Sequence, residues 1–220
     1  MTSSLWHAHG NAYLVAEGAY EMGGDGALEV ERLDGDDVWI TIRNPDFSVA
    51  EMSGNGTRIA GAWLMERTGA DVARVHVGER VVEVRRAGEL YESDMGEVQV
   101  FPEEQVAGAD VIRVIVGNPH AVVLGDPDDI VALGPALETH ARFPNRTNVQ
   151  VARIDGPGEV TARVWERGVG ETSASGSSAV AVAAATHGEG EVVVHFRGGD
   201  LRVRLRGGHA TLIGPAERLR

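Results

Sequence analysis

Two stretches, one in each half of the chain, limit what this sequence can fold into more than any other feature. Ser53-Gly-Asn-Gly-Thr-Arg-Ile-Ala-Gly-Ala-Trp-Leu-Met65 and Ser175-Gly-Ser-Ser-Ala-Val-Ala-Val-Ala-Ala-Ala185 both set Ser-Gly ahead of an apolar run. Serine suits the residue before a helix, because its hydroxyl accepts from backbone N–H groups that lack partners in the first turn. Ile59, Ala62, Trp63 and Met65 make most of a buried stripe in the first run, and the second has the look of a buried helix. The free N–H groups and the positive end of the helix dipole also make each start a natural carboxylate site. The pattern equally suits two ordinary capped core helices.

The segments around these helices read as strands. Trp6 to Val15 is a first strand broken by a polar turn at Gly10-Asn11, and Asp37 to Arg43 alternates with period two before the turn Asn44-Pro-Asp-Phe-Ser48. Val75 to Val77, Val81 to Val84 and Val98 to Phe101 follow as a meander. Val111 to Val116 and Ala121 to Leu124 flank Gly117-Asn118-Pro119-His120, and Asp126 to Ala141 is helix-compatible. Glu191 to Phe196 and Leu201 to Leu205 form a hairpin, with His209 to Ile213 a last short strand. Strands with one long apolar helix per half imply an α+β fold of two similar sheets, each around a helix. The acidic, Gly-bearing stretch Pro102 to Asp110 is read as the boundary. It gives an N-terminal domain of residues 1–108, joined by the last residues 212–220, and a C-terminal domain of 109–211.

Composition excludes several functions. The net charge of −13, with no basic stripe to offset it, argues against nucleic acid. All 20 basic residues are arginine, so no lysine is present to form a Schiff base, and zero cysteine removes disulfides, thiolate catalysis and cysteine metal sites. No metal site is read from the rest. Met1 to Trp6 carries no secretory leader pattern, and no apolar run approaches the roughly 20 residues that span a bilayer. A cytoplasmic protein without membrane contact is expected, and a homodimer is the default assembly.

Polar residues gather at strand ends. Asn11, Asn118 and Asn148 each stand at a strand end, while Glu166-Arg167 stands where the apolar strand Val160 to Trp165 stops. Taken singly, each Asn is an ordinary turn residue. Together, an array of amides with one Arg and one Glu suits a zwitterionic amino acid, whose carboxylate accepts from Arg and whose ammonium donates to Glu.

In this order the motifs resemble the diaminopimelate epimerase family over nearly the whole chain. They are His9-Gly-Asn11, Asn44-Pro-Asp-Phe-Ser48 (Phe47 where Gly is usual), Gly117-Asn-Pro-His120, Arg146-Thr-Asn148 and Glu166-Arg-Gly-x-Gly-Glu-Thr172. The resemblance implies two pseudo-symmetric domains, each a curled, mostly antiparallel sheet around a central helix, with the site in the cleft between them. It also implies cofactor-independent, two-base interconversion of L,L- and meso-diaminopimelate, a step of lysine and peptidoglycan precursor synthesis. Asn11, Asn44, Gly54, Asn55, Asn118, Asn148, Glu166, Arg167, Gly176 and Ser177 would bind the substrate. The two catalytic cysteines of the family fall at Ser53 and Ser175. A thiol titrates near 8.5 and lower at a helix start, whereas a serine hydroxyl supplies no alkoxide near neutrality. Neither serine has a histidine or lysine beside it in sequence to activate it. The readings that stay open are an epimerase scaffold whose two cysteine bases are replaced by serine and which is inactive in that form, a racemase of another amino acid, and an amino-acid-binding relative that is non-catalytic or uses a carboxylate such as Glu171. A hydrolase through Ser175 is disfavoured, since Ser173-Ala-Ser-Gly lacks the Gly-x-Ser-x-Gly elbow.

Overall fold

The computed structural model describes residues 2–9 and 11–219; Met1, Arg220 and Gly10 of the His9-Gly-Asn11 motif lie outside the described residues. The chain divides into two compact units, residues 1–94 with 213–220, and residues 95–212. The stretch read from sequence as a boundary carries the strand Glu104–Val106 of the second unit.

In the first unit the strands Thr2–Ala8 and Asn11–Glu17 form an antiparallel hairpin, and Asn11–Glu17 runs parallel to Gly26–Asp34. Gly26–Asp34 pairs antiparallel with Asp37–Arg43, which lies parallel to Val72–Val77. Val72–Val77 then turns back antiparallel to Arg80–Ala87. The crossover between Asp37–Arg43 and its parallel neighbour contains a two-residue strand, Val49–Ala50, and then helix α1 (Gly54–Thr68).

The second unit repeats this order. Ala109–Ile115 pairs antiparallel with Pro119–Leu124, which is parallel to Asn148–Gly156; that strand is antiparallel to Glu159–Glu166, which is parallel to Gly190–Phe196. Helix α2 (Ile130–Glu138) makes the first parallel crossover. The short strand Gly170–Thr172 and helix α3 (Gly176–Thr186) make the second. The two Ser-Gly sequences therefore occupy equivalent places, each following a short returning strand and opening the helix of a parallel crossover. The fold class is the α+β arrangement expected, mostly antiparallel, with one additional helix.

Each long helix is wrapped by the strands of its own unit. Helix α1 lies against the strands of its unit, and every residue from Gly54 to Ala62 is buried. Its stripe, with Ile59, Leu64 and Met65, packs on Leu28, Ile40, Ile42, Val75 and Val84. Gly61 makes this approach possible: a Cβ there would lie 2.6 Å from that of Val84. The helix stops at Gly69, whose left-handed backbone (φ 78°) returns its N–H to the Met65 carbonyl. Helix α3 is buried from Gly176 to Ala184, so its Ala, Ser and Val side chains suit a helix with no solvent face. Among the described residues no helix is long and apolar enough to cross a membrane.

Candidate functional site

The candidate residues fall into two groups, one at the start of each long helix. In the first unit Ser53 is the N-cap of α1, with an extended backbone (φ −142°, ψ 117°). Its Oγ accepts from the Gly56 N–H at 3.0 Å and its carbonyl accepts from the Thr57 N–H at 2.8 Å. The N–H groups of Gly54 and Asn55, the first two of the helix, have no intrahelical acceptor by geometry. The Tyr13 phenol lies 3.2 Å from Ser53 Oγ.

Beside this cap runs an amide chain. Buried Asn55 donates through Nδ2 to Asn11 Oδ1 at 2.6 Å, and its own Oδ1 accepts from Arg58 Nη2 at 2.8 Å. Asn11 is thereby held with its oxygen toward Asn55, which turns its NH2 donors the other way. Arg58 is fully buried, and its Nε donates to the Pro215 carbonyl at 2.9 Å. Loss of solvent pulls its guanidinium down to about 10. Asn44 is engaged in its own turn, donating to Ser48 Oγ at 2.9 Å, with Phe47 in the left-handed region (φ 64°) at the position where the family pattern has Gly.

In the second unit Ser175 is the N-cap of α3 but does not cap with its side chain. Its hydroxyl stands near enough to the Glu166 carboxylate to stabilise its charged form, and that carboxylate accepts a hydrogen bond from Thr172 Oγ1 at 2.6 Å. Loss of solvent raises the Glu166 carboxyl above its ordinary range, against the opposing pull of the two hydroxyls. Gly176 and Ser177 open the helix with the same unspent N–H groups.

The loop carrying Arg167 is fixed from below. Asn148 Oδ1 accepts from the Arg167 N–H at 3.0 Å and its Nδ2 donates to the Pro119 carbonyl at 3.0 Å, so Asn148 is a bracket between two loops. Asn118 Oδ1 lies 2.8 Å from His120 Nε2, while Gln150 Nε2 sits 3.0 Å from His120 Nδ1 and 2.9 Å from Ser178 Oγ. The amide donor at Nδ1 sets the tautomer: His120 carries its proton on Nε2 and gives it to Asn118. Within the second unit His120 thus engages Asn118 and Gln150, not Ser175.

Two residues outside the sequence reading hold this group in place. Glu138, 5 % exposed, accepts from Trp165 Nε1 at 2.8 Å and the Gly168 N–H at 2.7 Å, and pairs with Arg146. Burial works to raise its carboxyl, but these three partners win and hold it below the ordinary range. Glu138→Ala is expected to cost about 2–3 kcal/mol in urea unfolding and to speed amide exchange at Gly168, because two buried donors lose a charged acceptor. The second is Arg163, 9 % exposed, which grips both oxygens of Glu171 at 2.8 and 2.9 Å. Glu171, the alternative carboxylate, is therefore committed to a bidentate ion pair rather than open to act as a base.

Residues 112–219 match the family model described as diaminopimelate epimerase. The diaminopimelate epimerase of Pelotomaculum thermopropionicum is 36% identical, with 94% of this chain and 86% of that protein aligned. The diaminopimelate epimerase of Desulforapulum autotrophicum is 35% identical, over 90% of this chain and 82% of that one. The same fold recurs in a predicted epimerase from Pseudomonas aeruginosa, with TM-score 0.74 and 18% identity over 99% of this chain and 96% of that chain. It recurs again in a hydroxyproline epimerase from Agrobacterium vitis, with TM-score 0.74 and 14% identity over 99% of this chain and 88% of that chain.

Proposed function

The chain belongs to the diaminopimelate epimerase family, and on that premise we propose that this isomerase inverts the α-carbon of diaminopimelate without a cofactor, using hydroxyl relays where its family has thiols. The observation that carries this reading is the contact between Ser175 and Glu166. A lone serine is no base for an α-proton. A serine beside a carboxylate that burial has raised is different, since Ser175 Oγ accepts the α-proton as its own proton passes to Glu166. One C–H and one O–H bond break, two O–H bonds form, and the substrate is left as an enolate-like dianion. The raised carboxyl of Glu166 makes it a stronger base than a free carboxylate.

The charge that develops on the substrate carboxylate needs preorganised donors. The N–H groups of Gly54, Asn55, Gly176 and Ser177 supply that type of donor, two at each helix start. Asn11 and Arg167 add amide and guanidinium donors. Two-base inversion requires one proton-transfer group for each face of the α-carbon, which the reading assigns to Ser175 and Ser53.

The test is deuterium uptake at the α-carbon of L,L-diaminopimelate in heavy water, run on this chain and on its Ser53→Cys, Ser175→Cys form. Uptake by both supports the relay reading, with the cysteine form faster by tenfold or more because a thiolate is present at a helix start. Uptake by neither, with calorimetric binding retained, turns the assignment to an amino-acid-binding relative. Uptake with another amino acid alone turns it to a racemase of that substrate.

A further inference from the structure

We propose that Tyr13 is the proton-relay residue of the first unit, acting through Ser53 to return the proton that inversion requires. The inference rests on the epimerase reading and deepens it. Ser53 Oγ has two lone pairs and one proton. One lone pair is taken by the Gly56 N–H, and the Tyr13 phenol stands at 3.2 Å from the same oxygen. With the phenol donating, both lone pairs are engaged and the Ser53 proton is turned out of the cap. That is the geometry of an acid poised to protonate a carbanion.

The ring is seated rather than merely nearby. Tyr13 lies on the strand Asn11–Glu17, paired with Trp6 on one side and Gly26 on the other. A Cβ at Gly26 would meet Tyr13 Cε1 at 2.9 Å, so glycine leaves the slot the ring fills. The ring also packs against the core of its unit. Strand, slot and cap together aim the phenol at Ser53 across 40 residues of sequence.

The step balances. Ser53 O–H gives its proton to the α-carbon, Tyr13 O–H gives its proton to Ser53 Oγ, and the phenolate recovers one from water. An alcohol is far too weak an acid to leave as alkoxide, and the phenol removes that need. The two halves are thus chemically unequal: a carboxylate stands behind Ser175 and a phenol behind Ser53.

The experiment compares Tyr13→Phe in two backgrounds, the native chain and the Ser53→Cys, Ser175→Cys form, by conversion of L,L- to meso-diaminopimelate. In the native chain the variant is expected to lower kcat at least a hundredfold with KM unchanged. In the cysteine background it costs less than about tenfold, because a thiol is acid enough without a phenol behind it. Fluorotyrosine at position 13, which acidifies the phenol, moves the alkaline limb of kcat in the native chain to lower pH. A loss of similar size in both backgrounds would make Tyr13 a packing residue and overturn the relay. Turnover by the cysteine form but none by the native chain also overturns it, while leaving the family reaction intact. Turnover by neither removes the epimerase reading, and the relay with it.

Discussion

Replacing Glu166 with glutamine is expected to lower α-proton exchange about a thousandfold, a barrier increase of about 4 kcal/mol. The substitution keeps the shape and one acceptor for the Thr172 and Ser175 hydroxyls but removes the place where the proton comes to rest. Calorimetry should show diaminopimelate binding weakened by no more than tenfold, since one charged acceptor is lost while the donors to the substrate carboxylate are unchanged. The pH profile supplies an independent check. The rate rises as Glu166 ionises, and because its carboxyl is raised by burial, that ascending limb lies above the range of a free carboxylate. It should vanish in the glutamine variant. A profile that keeps the limb would place the base elsewhere.

The second large effect is on stability in acid. His120 is fully buried, and loss of solvent is the main reason its imidazole falls to about 3 from an ordinary 6.5. The unfolded chain takes up a proton at this residue near pH 6.5, and the folded protein does so only near pH 3. The stability contributed by neutral His120 is therefore complete above pH 6.5 and lost as pH falls toward 3. Between those limits the slope is about 1.4 kcal/mol per pH unit, and the whole amounts to at most about 5 kcal/mol. Urea midpoints measured from pH 7 to pH 4.5 should follow this slope, and His120→Asn should flatten it. His195 acts in the opposite sense: paired with Asp200 and Glu159, its imidazole is raised, so its contribution is present at low pH and fades as pH rises. It is more than a third exposed and solvated, so its share is the smaller.

Much of the architecture is legible in local pattern. Ser53 and Ser175 precede apolar runs read as buried helices, which they form, and Asp37 to Arg43 alternates so regularly that its strand bounds are recovered to the residue. What local pattern cannot carry is who stands behind the two serines. Tyr13 reads as one apolar position in an alternating strand; it meets Ser53 only because a parallel pairing sets it over Gly26. Glu138 reads as one acid in a polar helix, yet Gly134, one turn earlier, lets α2 press on Trp165 and brings that acid under the Arg167 loop. Glu171 illustrates the converse. In sequence it is as good a base as Glu166, and only the fold reveals that Arg163 holds it. Interactions that arise from register and crossover leave no trace at short spacing.

The Arg58 contact with Pro215 has a consequence for how the protein is made. The bond spans 157 residues, and Glu217–Arg218 adds a strand to Trp6 and His7 beside it. The second unit is contiguous and can fold as soon as residue 212 has left the ribosome. The first unit cannot. Its oldest residues wait through the synthesis of the whole second unit before the carbonyl that quiets the buried Arg58 guanidinium arrives. Ser53, made well before the second unit, thus belongs to a unit that is finished after it, and a chain lacking Pro215 to Arg218 never completes it.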